Sequence, residues 1–169
     1  VYDVVLDGSG YVYVTMKEDQ WTEMVVVNAA TGAVSRVTSD LIYDSARIAL
    51  SPTGTSLYTA ENGISPENSE RWSLGSGTAT PAYSSQYHGT HDMGANLWFT
   101  EAGDMLQARG STLFTVDETA TDNSTDIIYK DTLAGGGTLV AADHSTEARA
   151  FAGILTANDE TVEEDIRTF

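Results

Sequence analysis

An all-β protein built from about four copies of one four-stranded unit is predicted by three features of this 169-residue chain. The first is a tripeptide that ends a short aliphatic or aromatic run: Tyr13-Val14-Thr15, Leu57-Tyr58-Thr59 and Trp98-Phe99-Thr100, with threonines spaced 44 and 41 residues apart. The second is turn chemistry at matching places. Asp7-Gly8-Ser9-Gly10 in the first unit and Ser51-Pro52-Thr53-Gly54 in the second carry glycines that adopt backbone angles other residues resist. The third is the alternation of aromatic and β-branched residues between turns, as at 11–15, which suits strands packed between neighbouring sheets. A period of this length filled with short strands marks the blades of a β-propeller.

The elements follow in order. In the first unit, strands are predicted at 1–6, 11–15, 23–27 and 33–38, with Asn28-Ala29-Ala30-Thr31-Gly32 turning the chain between the last two. The second unit repeats this at 47–50, 56–59, 70–74 and 78–82, with the turn Gly75-Ser76-Gly77. The third is looser, with an inner strand at 90–93, a clipped turn at Gly94-Ala95, strands at 96–101 and 111–116, a long polar loop and a strand at 126–129. In the fourth, strands at 138–142 and 149–154 precede Glu164-Asp165-Ile166-Arg167-Thr168-Phe169, which reads like Ser69-Glu70-Arg71-Trp72-Ser73-Leu74 of the second unit. The blades are placed approximately at 1–40, 41–84, 85–133 and 134–169. The last unit stops at what reads as its third strand, and ring closure is how propellers hide strand edges. The sequence therefore predicts a segment of a larger propeller, with a compact four-bladed ring as the alternative.

Composition restricts partners. Lys17, Lys130 and six arginines face 25 acidic residues, for a formal charge of −17. Such a surface repels nucleic acid and anionic membranes, whose binding needs clustered cations. The absence of cysteine neither requires nor excludes an oxidising compartment. No apolar stretch approaches the ~20 residues that span a bilayer, so membrane insertion is not expected. The chain starts at Val1 with no signal-peptide pattern, which predicts a processed or trimmed start. Abundant Ser, Thr and Asp with few lysines point to a secreted or cell-surface protein, or to a salty environment.

The densest chemistry is Tyr87-His88-Gly89-Thr90-His91-Asp92, followed by Glu101. His88, His91 and Asp92 are residue types that ligate Zn²⁺ or another divalent ion. Strict alternation does not put residues 88 and 91 on one face, so a bend at Gly89 would have to bring them together. The preferred reading is that these side chains hydrogen-bond between blades. The loop 117–126, with Asp117, Glu118, Asp122, Asn123 and Asp126, offers oxygen ligands for Ca²⁺ but lacks the glycine and terminal glutamate of an EF-hand. A solvated acidic loop is preferred there. His144 is placed at a turn and read as exposed, and Trp72 and Trp98 are read as wedge fillers between blades. Trp21 is placed in the polar loop 17–22 and read as exposed, either a ligand platform or a ring folded back onto a blade edge. No nucleophile-elbow or phosphate-cradling motif appears, and Gly135-Gly136-Gly137 reads as a blade connector.

These units resemble the bacterial and archaeal propellers of the YVTN or surface-layer type. The resemblance rests on the turn Ser51-Pro52-Thr53-Gly54, the strand Tyr11-Val12-Tyr13-Val14-Thr15 and the turn Asn28-Ala29-Ala30-Thr31-Gly32. The third unit is similar to streptogramin-lyase-like propellers through Tyr87-His88-Gly89 and Asn96-Leu97-Trp98-Phe99-Thr100-Glu101. The resemblance implies a central channel, seven blades in many members, and a role in binding or surface display. In the lyase-like branch it implies metal binding and elimination by His88 and Glu101. This chain departs from that branch in having one such repeat, with Gly103 where a further His would stand.

Two functions follow as expectations. One is a noncatalytic extracellular or surface scaffold that binds a protein or glycan, or assembles with other domains, and needs no cofactor. The other is a metal-assisted lyase or hydrolase with His88 as acid/base and Glu101 as metal ligand. Open blade edges add a third expectation, self-association or completion of the propeller by another segment.

Overall fold

The computed structural model describes residues 1–17, 20–43, 45–133, 137–145, 150–156 and 165–168, which form strands, one 3₁₀ turn at Arg109–Ser111 and no α-helix. The first antiparallel sheet contains β1 (Asp3–Leu6), β2 (Tyr11–Thr15), β3 (Trp21–Asn28) and β4 (Val34–Tyr43). The second contains β5 (Arg47–Leu50), β6 (Ser56–Ala60), β7 (Glu70–Gly75) and β8 (Thr78–Ser84). The third contains β9 (Leu97–Phe99), β10 (Met105–Gln107), β11 (Thr112–Thr115) and β12 (Ile128–Thr132). Among the described residues the fourth has β13 (Thr138–Ser145), β14 (Ala150–Thr156) and β15 (Asp165–Thr168). Each sheet is a meander whose strands pair in chain order. The first strands of successive sheets are neighbours, β1 beside β5 and β5 beside β9.

Side-chain alternation explains why the sheets stack. Successive residues of a strand point to opposite faces, so a strand between two sheets buries both sets. Leu57 of β6 packs with Tyr13, Met24 and Val26 of the first sheet, whereas Tyr58 packs with Met105 and Phe114 of the third. Leu106 of β10 then meets Leu139 of the fourth. Trp72 is fully buried at the first junction and Trp98 packs at the third, the wedge-filling places expected of them. In all three four-stranded sheets the pairing of third with fourth strand carries a register shift, at Thr22/Met24, Arg71/Trp72 and Leu113/Phe114. Such bulges increase local twist.

The third unit is out of phase with the sequence reading. Trp98-Phe99-Thr100 resembles Leu57-Tyr58-Thr59, yet it ends the first strand of its sheet instead of the second. The second strand is the short β10, and 90–93 forms no strand. The hairpin caps show the true correspondence. Asp7 Oδ1 accepts from the Tyr11 amide at 2.8 Å, Ser51 Oγ from Ser56 at 3.2 Å and Thr100 Oγ1 from Asp104 at 3.1 Å. A short oxygen-bearing side chain thus closes the first hairpin of each of the first three sheets.

Two further placements differ. Trp21 is not in a loop: it opens β3 opposite Tyr43, with ring centroids 5.0 Å apart, because β4 runs on past the predicted end at 38. His144 lies within β13 opposite Phe151 instead of at a turn. The connector glycines 135 and 136 lie outside the described residues.

The junctions between sheets share a device. Ser45 and Ala95, each two residues before the first strand of its sheet, adopt φ of 59° and 61°. Asn62 Nδ2 donates to the Ser45 and Ala60 carbonyls at 2.9 and 3.2 Å, while its Oδ1 accepts from the Ala95 amide at 2.6 Å. One side chain therefore ties both linkers to the second sheet. Replacing Asn62 by alanine is expected to cost about 1–2 kcal/mol by leaving part-buried groups unpaired. Urea unfolding measures this, and an unchanged midpoint would refute the linking role.

Candidate functional site

The segment between β8 and β9 carries the histidines. His88 is exposed, while His91 is half-buried and stacks on Tyr129 with ring centroids 3.9 Å apart and planes 4° apart. Tyr87 meets His91 edge-on at 4.7 Å, and its hydroxyl accepts from the Tyr129 amide at 3.1 Å. His91 thus belongs to an aromatic stack that joins this segment to β12. Truncating it to alanine is expected to cost about 1 kcal/mol, read by thermal unfolding. Asp92 is exposed beside a cleft of about 350 Å³ that Pro66, Glu67, Gly89, His91 and Arg109 also line. There the Arg109 Nε lies 2.8 Å from Glu67 Oε2, an ion pair out of line for a hydrogen bond. Burial raises the Glu67 pKa, the Arg109 charge lowers it and Asp92 raises it again, with a net rise. Gly94 (φ 101°) packs tightly behind Glu67, since a Cβ there would run into the Glu67 carboxylate and lie 2.9 Å from the Glu61 carbonyl.

Glu101 lies elsewhere. It is exposed on the β9–β10 turn and lines a separate cleft of about 240 Å³ with Trp98, Phe99, Leu106, Ala142 and Asp143, between the third and fourth sheets. His88 lines neither cleft. Among the described residues, no three His, Cys, Asp or Glu side chains converge to hold a metal, so His88, His91 and Asp92 do not form a ligand set.

The acidic loop is organised by a residue that sequence reasoning missed. Arg71 of β7 donates to the carbonyls of Asp117 (3.2 Å), Glu118 (2.5 Å) and Ala120 (3.2 Å), and to Asp126 Oδ2 at 3.4 Å. Asp126 is fully buried and also accepts the hydroxyls of Tyr58 at 2.9 Å and Tyr83 at 2.8 Å. Its other oxygen takes the amides of Asp117 and Ile127, both at 2.9 Å. Burial first, then the Asp126 carboxylate, pushes the Tyr58 hydroxyl pKa far up, and the same causes bring Tyr83 to about 12. Burial disfavours the Arg71 charge, but its partners outweigh this and its pKa rises.

The remaining acids of the loop are equally committed. Asp117 Oδ1 accepts the Thr119 amide and hydroxyl at 2.9 and 2.6 Å, and Asp122 Oδ1 the Ser124 amide at 2.8 Å. Glu118 reaches back to the Thr53 hydroxyl and to Thr55 Oγ1 at 3.2 Å on the second sheet. Asp117, Asp122 and Asp126 therefore do not fit a Ca²⁺ cage: their oxygens close turns and a sheet junction. The sequence signal for Arg71 was faint, one cation in a strand otherwise read as a wedge.

Glu61 is a second missed residue. It is 3% exposed with Oε1 unpartnered, and burial, then the nearby Glu70 charge, raises its pKa to about 7.

No protein-family model and no curated protein matches the chain. Solved structures do. A candidate 6-phosphogluconolactonase from Bacteroides fragilis superposes with a TM-score of 0.63 at 13% identity, covering 94% of this chain and 47% of that one. A protein from Lactobacillus plantarum gives 0.59 at 14% identity, over 94% of this chain and 51% of the other. The β-propeller domain of Cps50 (Swd1) from Myceliophteria thermophila gives 0.55 at 9%, over 90% and 47%. The chain spans about half the length of these structures. Likeness at such identity establishes architecture alone: the chain has a β-propeller-like, all-β fold.

Proposed function

We propose that this chain is a noncatalytic propeller scaffold, extracellular or surface-exposed, that works by binding a protein or glycan or by assembly. The observation that carries the reading is the commitment of its polar groups. Arg71, Asp126, Tyr58 and Tyr83 bind one another across the second and third sheets. The candidate acid/base His88 and the candidate ligand Glu101 line no common cleft. The acidic, lysine-poor composition supports the surface location. The match to about half of a solved β-propeller domain fits a larger ring of which these sheets form part.

Neighbours described as candidate 6-phosphogluconolactonases raise a hydrolase reading. A phosphorylated sugar lactone needs cations for its phosphate, and this chain carries −17; the cleft at Glu101 adds Asp143, and Arg109 in the other is paired with Glu67. The scaffold reading fits better. Metal analysis of the purified protein tests it against the metal-assisted alternative: no stoichiometric divalent ion is expected. A bound ion lost in both His88→Ala and Glu101→Gln would overturn the scaffold reading.

A further inference from the structure

Two buried side-chain oxygens at the end of β6 and the approach to β7 have no hydrogen-bond partner, Glu61 Oε1 and Asn68 Oδ1. Glu61 as a whole is 3% exposed. The register that pairs Tyr58 with Arg71 runs on to the Glu61 amide, which donates to the Asn68 carbonyl at 3.0 Å. The same register sets Thr59 opposite Glu70, whose amide donates to Thr59 Oγ1 at 2.9 Å. Alternation then puts Glu61, Asn68 and Glu70 on the face that carries Leu57 and Trp72, which packs on the first sheet. Directly opposite residues have Cβ atoms about 5 Å apart and diagonal ones ~7–8 Å, so two glutamate side chains reach a common space with Asn68.

Nothing in this group offsets its charge. Ser84 Oγ donates to Glu70 Oε1 at 2.8 Å, a neutral partner. Among the described residues the ion pairs include neither Glu61 nor Glu70. Asp40 of β4 acts on Glu70 from the first sheet, and it too is negative. A buried water can donate to both orphan oxygens, but it leaves two carboxylates side by side out of bulk solvent. A divalent cation answers both needs.

We infer that Glu61, Asn68 and Glu70 form a Ca²⁺ site that ties the connection 61–69 to β7. Carboxylate and carboxamide oxygens are hard donors, and Ca²⁺ accepts them in flexible geometry, whereas Mg²⁺ demands a near-ideal octahedron and keeps its water. Two carboxylates and one carboxamide differ from the sets of three acids or histidines that the described residues lack. So few protein ligands put the site in the weak class, with a dissociation constant of ~10⁻⁴–10⁻³ M. Dialysis empties such a site, so a purified chain without stoichiometric metal agrees with it. The inference goes beyond the scaffold reading and is independent of what the scaffold binds.

Calorimetric titration of the chelator-treated chain with CaCl₂, in a buffer where carboxylates are charged, tests this. One Ca²⁺ per chain is expected, with Mg²⁺ at least ~10-fold weaker. Glu61→Gln and, separately, Asn68→Ala are expected to weaken Ca²⁺ binding at least ~10-fold and ~5-fold while keeping the β-sheet circular dichroism. The second variant keeps the test decisive should the first not fold. Asp122→Asn, in the acidic loop 117–126, is expected to leave binding unchanged. The inference is overturned by no binding up to ~10 mM, by equal binding of Mg²⁺, or by unchanged binding in folded Glu61→Gln, the last two being diffuse screening of the −17 charge. Loss of binding in Asp122→Asn places the ion in the loop and overturns it too. A different result, an ion lost in both His88→Ala and Glu101→Gln, overturns the scaffold reading, so the two fail separately.

Discussion

Replacing Asp126 by alanine is expected to cost about 3–5 kcal/mol, because it strands the Arg71 guanidinium at a buried junction. Arg71 and Asp126 side chains are 8% and 0% exposed. The two tyrosine hydroxyls would lose their acceptor at the same time. The amides of Asp117 and Ile127 would lose theirs as well, and Ile127 is held at φ 54°, a left-handed conformation that a β-branched residue enters only under constraint. The whole segment 117–126 is expected to detach from the second sheet, becoming protease-sensitive before the rest of the chain. Tyr58→Phe, which removes a single hydrogen bond, should cost only about 1 kcal/mol. Urea unfolding of both variants measures the contrast. A loss below 1 kcal/mol for Asp126→Ala would mean that the junction is held by apolar packing alone.

The second large effect is a pH dependence centred on Glu61. Its pKa in the folded chain is about 7, against 4.5 for the free side chain, so the native state holds a proton that the unfolded chain releases. Stability from this group is complete below pH 4.5 and is lost as pH rises through 7, by about 3 kcal/mol in all. Glu67 and Glu70 are raised too and act in the same direction. Glu118 has the opposite sign: burial raises its pKa, but hydrogen bonds to Ser51, Thr53 and Thr55 lower it further, so its contribution disappears in acid. The protein should be most stable near pH 4–5 and weaken toward pH 8. Glu61→Gln should flatten the neutral limb and be more stable than wild type at pH 8. Parallel pH profiles for the two proteins would show that Glu61 ionises normally.

Much of the fold was legible in local pattern. Strands at 11–15 and 47–50 were read to the residue, because each alternates strongly between capped turns. The third unit failed for a physical reason. Trp98-Phe99-Thr100 satisfies the rule for any half-buried strand, and that rule does not say which strand of a blade it is. The side-chain cap at Thr100, equivalent to Asp7 and Ser51, carries that information. Trp21 was misplaced because β4 extends through a bulge that only pairing with β3 reveals. At the candidate site the sequence singled out His88, His91, Asp92 and Glu101 by chemical type, and the structure puts His91 in an aromatic stack, Asp92 on a cleft rim and Glu101 at a different junction, with His88 exposed outside both clefts.

By itself the sequence determined an all-β repeat, its approximate period, its acidic character and the wedge-filling places of Trp72 and Trp98, since these depend on alternation, turn residues and composition within a few positions. Tertiary structure alone decided that Arg71 and Asp126, 55 residues apart, share a charge pair, that Glu61 is buried without a partner for one oxygen, and that the outward face of the first sheet leaves Val4, Leu6 and Val34 exposed among the described residues. Those outcomes depend on which sheets meet and in what register, and contacts between distant segments are not encoded in any single window of residues.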